Sequence, residues 1–296
     1  MKIIAIRMLL INALLCVSAT AVPAVTDSDS EIPFTFEKGH VIVSAKINGD
    51  TPVEVVLSTG AEYSLINALL LDKYKLKGAY TGEGIITGGD LDRVVVFVPV
   101  SDIHVGDVKL TSLNMRYGQA PTEITQRLGR EIFAVLGADF FKGRVVQFDF
   151  RRKVIRFLAH SLDSTPQNKD ASRFATLSIR PSDESIRPIV ENVTFNGMKI
   201  KTLFDTGALT VVSLTPSAAK QIGLTPPPDK SPPRADKVSL KFGEIGFTDL
   251  PVTLYAKGSV FDRTSSGYGA VVGIALLQNF ILTFDFHRGL VTLEHV

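Results

Sequence analysis

The chain has 296 residues, 45% of them hydrophobic, with 32 basic and 30 acidic side chains and one cysteine. That composition excludes a disordered or collagen-like chain, and its balanced, unclustered charge argues against nucleic acid as the main partner. The length accommodates one large or two medium domains, each with a core of its own.

The first residues, MKIIAIRMLLINALLCVSATAVPAV, have the form of a secretory signal. Lys2 and Arg7 make a basic start, Met8 to Val17 an apolar run, and Ala19-Thr20-Ala21 a small-residue cleavage site. The reading is a signal peptide over 1–21 and a secreted or periplasmic mature protein. The apolar run is shorter than the ~20 residues a membrane span needs, so no span is expected after cleavage. Cys16 lies inside that run, which leaves the mature chain without a disulfide or a thiol nucleophile. Losing Lys2 and Arg7 also brings the charges to 30 of each sign.

The rest of the chain is a repeat. HVIVSAKINGD (40–50) and RPIVENVTFNG (187–197) are alternating apolar segments that end in Asn-Gly, a hairpin signal because both residues tolerate positive φ. Each turn leads into an apolar strand with a closing motif: VEVVLSTGAEYSLI (53–66) and IKTLFDTGALTVVS (200–213). A short helix is expected after each. Asn67 caps one through Ala68 to Leu71; Thr215 caps the other, with Pro216 first inside it and Gly223 beyond its end. A further helix is read over TEITQRLGREIF (122–133), without a counterpart in the second half.

The closing segments match as well. AVLGADFFKGRVVQFDFRRKVIRFL (134–158) runs beside AVVGIALLQNFILTFDFHRGLVTLE (270–294), each reading as a turn and then a hairpin with FDF on one strand. Between the halves, a polar stretch at 159–173 reads as a linker. The expected domains are 33–158 and 174–296.

An apolar strand, a Thr-Gly-Ala turn, a short helix, then apolar-apolar-Gly before a hairpin: this order, twice, resembles the retropepsin-like aspartic peptidases. The motifs that carry it are Asp205-Thr206-Gly207-Ala208 with Val271-Val272-Gly273, and Ser58-Thr59-Gly60-Ala61 with Val135-Leu136-Gly137. The resemblance implies a mainly β fold of two closed-β lobes facing a shared cleft, built from one chain. It also implies that Thr59 and Thr206 interlock the two floor loops and that Gly60 and Gly207 permit close backbone approach. An extended peptide or protein substrate is the implied partner, no cofactor or metal is implied, and the chain is expected as a monomer with a homodimer open.

The family's chemistry needs two carboxylates that share one proton. Asp205 is the candidate catalytic residue, and Ser58 stands where its partner belongs. A serine hydroxyl donates and accepts hydrogen bonds but does not ionise near neutral pH. Losing a general acid–base group typically costs ~10²–10⁴ in rate. The expectation is therefore a peptide-binding cleft with impaired hydrolysis. The alternative is an active aspartic-type endopeptidase that uses another carboxylate, or an Asp205 pair from two chains.

Several other residues have a chemical and a structural reading. Ser58 as a nucleophile needs a base, for which His40 and His104 are the nearest candidates in sequence. Asp139 reads as a carboxylate favoured at a helix start, with a place on the floor as the sharper option. Asp149 and Asp285 read as paired structural residues. The histidines at 40, 104, 160, 287 and 295 lack metal-ligand spacing. GEGIITGG (82–89) lies where a flap over the cleft belongs, with Gly84, Gly88 and Gly89 permitting it to bend. The corresponding stretch of the second half (224–240) is proline-rich and reads as stiff, so a single flap is expected.

Overall fold

Both Asn-Gly pairs turn as their composition demands. Asn48 and Gly49 take φ of 49° and 90°, and Asn196 and Gly197 take 47° and 83°. Each closes an antiparallel hairpin: His40–Ile47 with Thr51–Leu57, and Ile189–Phe195 with Met198–Asp205. The computed structural model describes residues 31–84, 94–159, 172–179, 186–265 and 267–295. The signal reading at 1–21 and most of the linker lie outside the described residues.

Each hairpin opens a six-stranded closed ring. In the second half the ring runs Ile189–Phe195, Met198–Asp205, Ala270–Gly273, Val212–Leu214, Ile245–Leu254 and Arg234–Phe242, then back to the first strand. In the first half the order is the same: His40–Ile47, Thr51–Leu57, Ala134–Leu136, Leu65–Ile66, Val108–Tyr117 and Val94–Val105. That ring closes through one pair, Lys46 with His104. The mainly β, two-lobed architecture that the resemblance implies is the one observed.

A third sheet joins the lobes. Its six antiparallel strands run Glu31–Pro33, Val154–Leu158, Val145–Asp149, Phe280–Asp285, Leu290–His295 and Phe174–Ser178. Each half supplies three strands, and the central pair joins Val145–Asp149 to Phe280–Asp285 across the lobes. The two FDF segments meet there. Phe148 and Phe284 are fully buried edge to face at 6.1 Å, and Phe141 stacks on Phe286 at 5.8 Å. Asp149 and Asp285 hold the two hairpin turns. Asp149 accepts the N–H of Arg152, and Asp285 accepts those of His287 and Arg288.

The outer faces of the rings also match. Ile42, Val56 and Val135 cluster under the helix Ala120–Leu128, while Ile189, Leu203 and Val271 cluster under Phe261 and Tyr268. That first helix is shorter than the apolar pattern of 122–133 suggests. Gly129 takes a left-handed φ of 71° and its N–H bonds the Thr125 carbonyl, which ends the helix. The Thr125 hydroxyl then accepts the Ile132 N–H and turns the chain toward Ala134–Leu136.

The other caps follow the sequence reading. Asn67 accepts the Leu69 N–H over the 3₁₀ turn Ala68–Leu70, and Thr215 accepts the Ala218 N–H at the start of Pro216–Gln221. The proline-rich stretch departs from its reading in its second part. From Arg234 onward it is a regular strand, because Arg234–Phe242 finds partners in Ile245–Leu254. The prolines lie before that strand, where the first lobe instead runs Ala79–Gly84 beside Val94–Val105.

Candidate active site

Ser58 and Asp205 stand at the ends of equivalent strands, in loops held by equivalent neighbours. Thr51–Leu57 pairs in parallel with Ala134–Leu136, and Met198–Asp205 pairs in parallel with Ala270–Gly273. Gly137 and Gly273 mark the crossing point. A Cβ on Gly137 would sit 2.6 Å from the Ala61 carbonyl oxygen, and one on Gly273 would collide with the carbonyl oxygens of Thr210 and Ala208. The next residues repeat one hydrogen bond: Ala138 N–H to Ala61 O and Ile274 N–H to Ala208 O, each 2.7 Å. Apolar-apolar-Gly is thus a steric requirement of threading one loop beneath another.

The two loops interlock through their threonines. The Thr59 N–H donates to the Thr206 hydroxyl oxygen at 3.1 Å, and the Thr206 N–H donates to that of Thr59 at the same distance. The Thr59 hydroxyl donates onward to the Phe204 carbonyl at 2.8 Å; the Thr206 hydroxyl reaches the Leu57 carbonyl at 3.5 Å. Both threonines are fully buried. The reciprocal bonds satisfy the backbone groups that the loops bury against each other.

Asp205 and Ser58 meet at the centre. The Ser58 hydroxyl donates to Oδ1 of Asp205 at 3.1 Å. The same oxygen accepts the N–H of Gly207 at 2.7 Å and that of Gly60 at 3.1 Å. Ser58 Oγ in turn accepts the Ala61 N–H at 3.3 Å. A Cβ on Gly60 would fall into the Asp205 carboxyl, and one on Gly207 would fall onto the Ser58 hydroxyl. Each glycine makes room for the other loop's functional side chain.

Burial pushes the Asp205 carboxyl above the usual carboxylate range. The donors from Gly207, Ser58 and Gly60 pull the other way, because they favour the charged form. Asp205 thus holds its proton to a higher pH than a solvated aspartate would.

The remaining candidates fall elsewhere. Asp139 accepts the Ser64 N–H at 2.9 Å and the Ser64 hydroxyl at 2.6 Å, while Ser64 Oγ accepts the Gly137 N–H at 3.0 Å. It also stands in the first turn of Ala138–Phe141, as its helix-start reading expects, where its Oδ1 accepts the Phe140 N–H at 2.8 Å. Its carboxylate braces the underside of the Ser58 loop, a role that spacing alone does not disclose. Burial raises its pKa, against the bonds from Ser64 and Phe140. The carboxylate that next follows Ser58 in the chain, Glu62, is not on the floor either: it pairs with Arg187. Among the described residues, no second carboxylate hydrogen-bonds Asp205.

Among the described residues, no histidine hydrogen-bonds Ser58. His104 lies opposite Lys46, near the hairpin turn at the far end of the strand from Leu57. His40 is 4% exposed, and neither of its ring nitrogens has a hydrogen-bond partner. Burial, and then the charge of Arg127, lower its pKa. Among the described residues no group of histidines and acids could hold a metal ion. The flap reading falls on the hairpin of Ala79–Gly84 with Val94–Val105, where Gly84 pairs with Val94. Gly88 and Gly89 lie outside the described residues.

Residues 43–140 match the family model described as Aspartyl protease. The match begins within His40–Ile47 and ends just past Asp139, so it falls on the lobe that carries the serine. None of the curated proteins matches. Among solved structures, an aspartic proteinase from Irpex lacteus is similar over 90% of this chain and 97% of its own, at 12% identity and a TM-score of 0.53. At that identity the likeness speaks for the two-lobed fold.

Proposed function

We propose that this chain, whose first lobe matches the aspartyl protease family and whose two lobes share the aspartic-proteinase fold, is a secreted or periplasmic protein that binds extended peptides between its lobes. On this reading it does not hydrolyse them by the two-carboxylate route. One observation carries the reading: the group that meets Asp205 across the floor is a hydroxyl that donates to it at 3.1 Å.

Hydrolysis by the two-carboxylate route needs one ionised group to take a proton from water and one neutral group to give a proton to the peptide carbonyl. Asp205 fills either role, but not both at once. Ser58 supplies the hydrogen bond that a protonated partner would donate to Asp205. It cannot afterwards act as the base, because a hydroxyl does not ionise near neutral pH. Peptide binding asks less of the floor. Backbone hydrogen bonding to an extended strand provides affinity, and the hairpin of Ala79–Gly84 with Val94–Val105 supplies a candidate cover.

The test is calorimetry of the mature protein with statine-type and library peptides, alongside product analysis from pH 3 to 7. Binding without cleavage is the expected result. Absence of binding up to millimolar peptide overturns the reading. Cleavage that Asp205→Asn abolishes replaces it with an active endopeptidase. An Asp205 pair from two chains would require the interlocked loops to part, since Asp205 is held by Ser58 and Gly60 of its own chain.

A further inference from the structure

We propose that Arg187 is a positioning residue for the lone carboxylate: joined to Glu62 of the other lobe and lying over Tyr268, it sets a positive charge on the flank of Asp205 and clamps the Ser58 loop onto the second lobe. The inference deepens the reading of this cleft as the functional site and concerns what governs its single acid.

Strand register brings Arg187 to this place. Ile189 pairs with Leu203, and the Pro188 carbonyl accepts the Phe204 N–H at 3.1 Å. Arg187 precedes that pair in a bend, its carbonyl accepting the Ile189 N–H at 2.8 Å, and Asp205 follows Phe204. From there the guanidinium reaches the first lobe, with Nη2 3.8 Å from Oε2 of Glu62. Glu62 follows Ser58 by four residues and belongs to the loop that Thr59 anchors. The Arg187 side chain is 11% exposed and that of Glu62 26%, so water screens the pair only in part. The guanidinium also lies 5.2 Å from the centre of the Tyr268 ring. Tyr268 packs on the outer cluster of Ile189, Leu203 and Val271, on the strands that end at the Asp205 loop. Its phenol is within electrostatic reach of both Arg187 and Asp205.

The first lobe shows what is particular to this arrangement. Val41 pairs with Leu57, so one step further His40 and Ser58 stand where Arg187 and Asp205 stand in the second lobe. The residue that matches Glu62 in the second loop is Leu209, and it packs at the Gly39 turn beside His40. The two lobes therefore exchange reciprocal contacts of opposite character. An acid meets Arg187 on the Asp205 side. A leucine lies near His40 on the Ser58 side, and His40 has no hydrogen-bond partner. An ion pair between the lobes is thus built in on the Asp205 side.

Ser58 and the N–H groups of Gly60, Gly207 and Ala208 act on Asp205 directly; the Tyr268 phenol lies within electrostatic reach of Asp205 and of Arg187, which pairs with Glu62. A nearby cation favours the ionised acid, and its partner's negative charge offsets that effect. The experiment is a carbon-13 carboxyl titration of Asp205 in the full two-lobe protein. Arg187→Met should raise the Asp205 midpoint by about half a pH unit or more, and Glu62→Gln should lower it by a similar amount. Arg187→Lys should stay close to the parent, and the Arg187→Met/Glu62→Gln double variant should return toward it.

A merely structural tie predicts lower melting temperatures without opposite shifts of the midpoint. Unmoved midpoints, or shifts of the same sign in the two single variants, overturn the proposal. Should Arg187→Met fail to fold, Glu62→Gln alone decides, and an unmoved or raised midpoint refutes it. The titration needs no peptide, so its outcome is independent of whether the cleft binds one.

Discussion

The Ser58 hydroxyl and the Asp205 carboxylate share a hydrogen bond of 3.1 Å although 147 residues separate them in the chain. Each side chain lies against the other loop's glycine. The floor is thus nearly two-fold in its backbone and one-sided in its ionisable groups, which makes the consequences of single substitutions definite.

Ser58→Asp should create or greatly raise peptidase activity in the acid range. Gly207 leaves a gap for the residue at 58 as Gly60 does for Asp205, and the threonine interlock is already in place. Two coupled titrations should replace one, with a bell-shaped pH–rate profile. Asp205→Asn in that background should abolish the activity. A variant that folds normally yet cleaves nothing between pH 3 and 7 would show that more than one side chain is missing.

Asp205→Asn in the natural protein should stabilise it at neutral pH. Asparagine keeps an oxygen for the same donors and carries no charge to desolvate. The Asp205 pKa is raised in the folded state, so the folded protein binds the proton more tightly than the unfolded chain, whose aspartates titrate near about 3.9. The contribution of this group to stability is therefore greatest below that value and is lost as pH rises through the folded pKa. Melting curves of the two proteins should converge near pH 3 and separate toward pH 7. A gap that stays constant with pH would refute the assignment.

Removing one half of the interlock should be costly. Thr59→Val deletes the donor to the Phe204 carbonyl and the acceptor of the Thr206 N–H, both buried. Each stranded group costs about 1–3 kcal/mol. Urea unfolding should register a loss of roughly 2–6 kcal/mol on that basis, whereas Thr59→Ser should lose much less. A loss below about 0.5 kcal/mol for the valine variant would mean that the loops are held by other contacts.

His40→Leu should stabilise the fold. The imidazole is 4% exposed with no partner on either nitrogen, beside the cluster of Ile42 and Val56. Burying such a group without hydrogen bonds costs about 1–3 kcal/mol. Its pKa is lowered on folding, so its stability contribution is lost as pH falls below the unfolded value of about 6.5. The gain from leucine should accordingly be larger at pH 5 than at pH 7.5. Equal gains at both would show that His40 does not change its charge on unfolding.

Features written in neighbouring residues are legible from the sequence. The Asn-Gly turns, the Thr215 cap and the two floor motifs each depend on a few adjacent side chains, and each stands where the sequence places it. Gly137 and Gly273 are legible because they recur, although the carbonyl oxygens that forbid a side chain there belong to other loops. Relations between distant segments are not. Asp139 grips Ser64 from 75 residues away, and nothing in its spacing distinguishes that from a helix start. Arg187 and Glu62 come from different lobes and give no local signal. The apolar period overextends the helix that ends at Leu128, because it continues through Ile132 and Phe133, which serve the next strand instead.

The sheet that pairs Val145–Asp149 with Phe280–Asp285 has a consequence for ancestry. Its two halves meet as two identical subunits would about a dyad. In such an assembly a mutation at the floor appears on both sides at once, so a serine on one side and an aspartate on the other is out of reach. Joining the copies in one chain removes that restriction. Each half can then change at its floor residue independently of the other. The Ser58–Asp205 mismatch is open to a chain that carries both halves and closed to a pair of identical subunits.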